Sequence, residues 1–164
     1  MANSPEPMTG GDLVAPDFDR AAALRCLTAD KQREIGLALR DSTCLSRVDN
    51  RLICEVLYVT GTSPWSAVGD VNVGSILNTL RFIAIANEGL DLISTTGTQR
   101  AGHEFYVHAR AHANCRRCRG KIAAAIQGTK PDEHMTYFCP TCQPGEHPPV
   151  LTYAARRPAS KDSR

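Results

Sequence analysis

Four cysteines near the C-terminus carry the clearest chemistry in this 164-residue chain: Cys115-Arg-Arg-Cys118, twenty intervening residues, then Cys139-Pro-Thr-Cys142. Two Cys-x-x-Cys pairs at this separation are a signature of a closed tetrahedral zinc site. Each pair sets two thiolates on one tight knuckle, and the residues between are enough for a β-hairpin that brings the knuckles together. Four thiolates leave no open position for water, so one structural zinc is expected rather than a catalytic one. Two disulfides or four free thiols are the competing assignments, and the basic neighbours weigh against both.

Composition sets the context. Hydrophobic content is 42%, and no apolar run approaches the roughly 18 residues needed to span a bilayer, so no membrane association is expected. Met1 to Gly11 is polar and rich in Pro and Gly, unlike a signal peptide. Cys26, Cys44 and Cys54 lie among apolar helical residues and read as small buried hydrophobes. Seven cysteines without an export signal fit a reducing compartment, the cytoplasm. The overall charge of +2 is unevenly spread: net −4 over residues 1–99, +4 over 100–142 and +2 over 143–164. The zinc segment is thus the basic one, with Arg110, Arg116, Arg117, Arg119, Lys121 and Lys130. Basic charge on a small zinc module suits phosphate contact, although it also suits an ordinary solvated face.

The elements that must position these groups are mostly helical. Residues 1–16 read as a disordered lead-in. Asp19 is a plausible N-cap, with Phe18 as a hydrophobic staple, for a helix using Ala22, Leu24, Cys26 and Leu27. A second helix follows Thr28-Ala29-Asp30 with Ile35, Leu37, Ala38 and Leu39. Leu52, Val56, Leu57 and Val59 mark a third, stopped by Gly61. A fourth is predicted from about Val73 to Asn87, ended by Gly89. A loop over 95–102 precedes short β segments at His103–Val107, Ile122–Ile126 and Met135–Phe138. The proline-rich tail from 144 to 164 reads as disordered. The fold class is mainly α: a helical domain over 17–99, then a β-hairpin zinc finger over 100–143.

These residues carry a family resemblance. Tyr137-Phe138-Cys139-Pro140-Thr141-Cys142-Gln143, with Arg110 and Asn114-Cys115-Arg-Arg-Cys118 upstream, resembles the end of the formamidopyrimidine-DNA glycosylase and endonuclease VIII family of base-excision repair enzymes. Asp12 to Asp19, Arg33 to Leu39, Ser63-Pro64-Trp65 and Val68-Gly69-Asp70 resemble its helix–two-turn–helix domain. The resemblance runs from about residue 10 to residue 143. It implies duplex DNA, damaged or abasic, as partner. It implies DNA contacts at Asn50 and Arg47 in the turn before the third helix, at Arg110, and at His134 and Lys130 near the hairpin tip.

Departures from the family pattern shape the expectation. The family's turn carries Gly-Ile-Gly-Asn; here it is Arg47-Val48-Asp49-Asn50, which keeps only the asparagine. The family's lysine three residues on is Ile53, its minor-groove arginine is His134, and the glycine after the second cysteine is Arg119. Asn50 can serve equally as a helix N-cap. His103, His108, His112 and His134 read first as surface residues, and Trp65 as a core anchor. Family catalysis resides in an N-terminal sandwich that begins Pro-Glu, where the proline amine attacks the sugar. This chain begins Met1-Ala2-Asn3, and its Pro5-Glu6 is internal, so no catalytic residue is assigned. The expected function is zinc-dependent DNA binding without glycosylase activity of its own. The alternatives are an active glycosylase and lyase when a separate catalytic subunit completes it, or a zinc scaffold that binds protein. Purified protein should contain one zinc, and Cys139→Ser should release it and unfold residues 103–142, as read by metal analysis and amide exchange.

Overall fold

The computed structural model describes residues 10–152. It contains four α-helices and one two-stranded hairpin. Helix α1 spans Arg20–Leu27, and the Asp19 side chain caps it by accepting from the Ala22 N–H at 2.9 Å. Helix α2 is a short turn, Ile35–Ala38. Helix α3 spans Asn50–Val59 and α4 spans Val73–Ala86, with a 3-10 turn at Val68–Asp70 between them. Strands β1, Ala123–Gln127, and β2, His134–Phe138, pair antiparallel with Ala123 opposite Phe138 and Gln127 opposite His134.

Helix α3 is the hinge of the packing. Every residue from Leu52 to Tyr58 is buried. Leu52, Ile53, Val56 and Leu57 enter a helical core with Leu27, Ile35, Leu39, Ile76, Leu77 and Leu80. Cys54 and Tyr58 instead join a second cluster with Val107, Cys115, Ile122 and Cys139. One helix therefore belongs to two hydrophobic cores. Gly61, with φ +66, follows the C-cap Thr60 and turns the chain out, in the left-handed conformation that glycine adopts without steric cost.

The expected strand over His103–Val107 does not form. The N–H groups of Tyr106, Val107 and His108 converge on the Glu55 carboxyl, each at 2.8 Å. Successive N–H groups of an extended strand point to opposite sides, so three in a row cannot meet one acceptor in a strand. The Thr95 hydroxyl adds a fourth bond to Glu55. This residue is fully buried, and four donors offset the loss of water that burial imposes.

Three other expectations change. The packed part of the chain begins before residue 17: Leu13 is fully buried, and Gly10 N–H donates to Cys44 O at 3.0 Å. Residues 1–9 and 153–164 lie outside the described residues, but the tail up to 152 is seated. His147 packs on Phe138 with ring centroids 4.9 Å apart, and Leu151 N–H donates to Ala124 O at 2.8 Å. Cys26 and Cys44 are not separate buried thiols. They form a disulfide that links α1 to the stretch after α2. Their partnership spans 18 residues, and local apolar patterning holds no trace of it. Cys54 is buried and free, as expected.

Gln127 ties the hairpin to the helices by donating to Glu34 Oε2 and Pro64 O, both at 2.8 Å. Gly36 makes room for it: a Cβ there would lie 2.4 Å from Gln127 Oε1. The Glu55 bonds supply a direct test. Glu55→Gln replaces one acceptor oxygen with a donor facing the buried Tyr106 or Val107 region. Stability should fall by about 1–3 kcal/mol, read as a lower denaturation midpoint at constant zinc.

Candidate metal centre and nucleic-acid interface

The four knuckle sulfurs lie within 4.8 Å of one another and can hold a metal ion. Cys115 and Cys139 are buried; Cys118 and Cys142 are partly exposed. The Cys115–Cys142 and Cys118–Cys139 sulfurs are 3.8 Å and 3.5 Å apart. A zinc–sulfur bond of about 2.3 Å in a tetrahedron gives edges of roughly 3.8 Å, so the spacing and the all-thiol donor set both fit zinc.

Local backbone geometry builds each knuckle. Arg117 N–H and Gly120 N–H point at Cys115 Sγ and Cys118 Sγ, both at 3.4 Å, and Cys142 N–H points at Cys139 Sγ at 3.5 Å. Arg119 has φ +69, the left-handed conformation that favours glycine. The position keeps its conformation although it carries an arginine. From outside the knuckles, Gln143 accepts from Cys139 N–H at 2.8 Å and donates to Thr62 O at 2.9 Å. Tyr58 places its hydroxyl 3.2 Å from Cys115 Sγ. Burial, followed by the neighbouring Cys115 sulfur, raises the Tyr58 hydroxyl above its ordinary value, so it stays protonated at neutral pH.

The five residues expected at DNA sit in three places. Asn50 opens α3, and its side-chain amide donates to Met135 O in β2 at 2.8 Å. Asp49, not Asn50, is the N-cap, accepting from Leu52 N–H at 3.0 Å. The Asn50 bond brings the turn before α3 against the hairpin, beside His134. Burial, then Arg40, lowers the His134 pKa and favours its neutral form. Lys130 is exposed in the connection between β1 and β2. Arg47, with φ +63, pairs with both Glu88 oxygens at 3.2 Å and with Asp12 at 3.5 Å. Arg110 stands apart: its guanidinium donates to the Tyr106 and Asn114 carbonyls and braces the approach to the first knuckle. Trp65 packs edge-on against Phe138 at 4.8 Å but is only half-buried and outside both cores, so it is not the core anchor expected.

Sequence reasoning passed over Glu55, Tyr58 and Gln127, and met Gln143 only as the end of the family motif. For Glu55 a signal existed, since an acidic residue inside the apolar run Leu52–Val59 must find buried partners. The other three make their bonds to segments 57, 63 and 81 residues away, beyond any local pattern.

No protein-family model matches the chain. A probable endonuclease 8 2 of Streptomyces coelicolor is 37% identical over 142 residues, 85% of this chain and 51% of that protein. The DNA-(apurinic or apyrimidinic site) lyase Nei2 of Mycolicibacterium smegmatis is 34% identical over 140 residues, 82% of this chain and 52% of its own. A formamidopyrimidine-DNA glycosylase of Lactococcus lactis, in complex with DNA containing a Fapy-dG lesion, shares the fold. It superposes with a TM-score of 0.67 at 22% identity, covering 85% of this chain and 52% of that one. This chain is a relative of the C-terminal part of the formamidopyrimidine-DNA glycosylase and endonuclease VIII family. It spans about half the length of the curated family members it matches.

The thiols make metal affinity depend on pH. Burial opposes the Cys115 thiolate, but backbone N–H bonds and the Tyr58 hydroxyl outweigh it and draw the thiol down to about 6. Burial, then the adjacent sulfurs, push Cys142 up to about 12 and also raise Cys139. Near neutral pH the raised thiols hold protons that a metal must displace. Zinc affinity should therefore fall as pH falls, with release of protons on binding, as measured by competition titrations across neutral pH in two buffers of different ionisation enthalpy.

Proposed function

We propose that this chain is a zinc-dependent, duplex-DNA-binding module of the helix–two-turn–helix and zinc-finger kind. The observation that carries this reading is the Asn50–Met135 hydrogen bond, which joins the turn before α3 to the hairpin. A duplex lying across both is then held by one rigid edge rather than by two independent ones. Phosphates would be held at the turn by Asn50 and Arg47, and Lys130 and His134 would approach the groove from the hairpin. Arg110 contributes by bracing the knuckle. Arg47 enters such a contact only by exchanging Glu88 and Asp12 for phosphate. One zinc on Cys115, Cys118, Cys139 and Cys142 holds the hairpin in place. On this reading the module acts in the cytoplasm.

On this reading base excision is not performed by these 164 residues alone. The chemistry needs an amine nucleophile at the sugar, a carboxyl group beside it and a cavity for the extruded base. The Glu55 carboxyl cannot serve as that acid, being saturated by four protein donors. Pro5-Glu6 lie outside the described residues. A second reading has the module act as a glycosylase and lyase once a separate catalytic domain completes it. Its support is that the chain matches about half of each relative.

Affinity for a duplex containing an abasic site should fall linearly on a log–log plot as salt rises, because bound Lys and Arg release counterions. Lys130→Ala should reduce that slope by about 1, and Asn50→Ala should cost on the order of 1 kcal/mol or more. Fluorescence anisotropy reads both. Borohydride trapping on the same duplex should give no more adduct with the full chain than with a version lacking residues 1–9, which leaves the buried Leu13 in place. Strong trapping that disappears with the truncation would assign catalysis to the chain itself, and salt-insensitive binding would point to a protein scaffold.

A further inference from the structure

Tyr58 sits where the two cores meet. Its side chain is 1% exposed, stacks on Tyr106 at 5.1 Å and lies beneath the Arg117 guanidinium at 4.7 Å. A phenylalanine would satisfy all three of those contacts. The hydroxyl adds one thing only, a 3.2 Å hydrogen bond to Cys115 Sγ. A metal-bound cysteine is a thiolate and has no proton to give, so the hydroxyl is the donor in the loaded centre. The other donors to this cluster described above are backbone N–H groups of the knuckles themselves. Tyr58 alone among them comes from a helix, and that helix opens at Asn50.

We propose that Tyr58 is a positioning residue of the zinc centre: its hydroxyl donates to the Cys115 thiolate, so that α3 governs how firmly the metal is held and how much charge remains on that sulfur. Outer groups that orient metal ligands typically alter metal affinity 10–100-fold when removed. The link runs both ways. A metal that fixes Cys115 also fixes the C-terminal end of α3, whose ten residues place the turn at Asn50 about 15 Å away.

This inference rests on the zinc reading, and the experiment separates the two. Wild-type chain, Tyr58→Phe and a Tyr106→Phe control are each titrated with Co²⁺, and zinc is then competed against a chelator. The wild type should give the visible absorption of tetrahedral thiolate-bound cobalt. Tyr58→Phe should keep that geometry but shift the thiolate-to-cobalt charge-transfer band to lower energy, because the sulfur has lost a donor. Its apparent zinc affinity should drop about tenfold, while Tyr106→Phe matches wild type. Installing 3-fluorotyrosine at position 58, a stronger donor of nearly the same shape, should move the band the other way, and it serves even if the phenylalanine variant misfolds. A wild-type chain without the tetrahedral spectrum overturns the zinc reading and this inference together. A normal wild-type spectrum that neither substitution at 58 shifts overturns the role of Tyr58 alone.

Discussion

The arrangement depends on a buried carboxyl group. Glu55 lies in the middle of α3, out of contact with solvent, and collects Tyr106, Val107 and His108 N–H groups together with the Thr95 hydroxyl. Isolated, such a group in an apolar interior would be prohibitive. Surrounded by four donors, it becomes a clamp that determines the path of the chain between the last helix and the first knuckle. Since α3 also supplies Leu57 to one core and Tyr58 to the other, the clamp fixes how the cores sit on each other. The hairpin reaches the turn at Asn50 because that path is fixed.

Much of this was legible in the residues. The zinc spacing, the N-cap Asp19, the stop at Gly61 and the helical periodicity of α4 are local signals, each written within a few positions. The hairpin strands begin and end within one residue of the segments expected at Ile122–Ile126 and Met135–Phe138. What escaped depends on distant partners. The segment at 103–107 has strand-like composition, yet one acceptor from α3, about 50 residues upstream, outcompetes a strand's hydrogen bonds. Leu13 and His147 look like parts of flexible ends until the surfaces that receive them are known. Asn50 was open between an N-cap and a phosphate contact; the backbone gives the cap to Asp49, and Asn50 donates to the hairpin instead.

Two arginines occupy backbone positions suited to glycine. Arg47 and Arg119 both take φ between +60° and +70°. Each such residue costs of order 1 kcal/mol relative to glycine. Both are compensated by surroundings that hold the conformation: Asp12 and Glu88 around Arg47, and the Gly120 N–H bond to Cys118 Sγ that follows Arg119. The fold therefore retains these turns by contact where the family pattern retains them by backbone freedom.

Apart from the buried, free Cys54, the cysteine sulfurs divide into two populations with opposite requirements. Cys26 and Cys44 are joined as a cystine, whereas Cys115, Cys118, Cys139 and Cys142 function as ligands only when reduced. A strong reductant that protects the ligand set opens the cystine, and an oxidant that preserves the cystine endangers the ligands. Bound metal resolves the conflict, because a thiolate committed to a cation is a poor partner for exchange. Handling this chain is thus a matter of sequence in time: the ligand thiols must be occupied before the solution is allowed to turn oxidising.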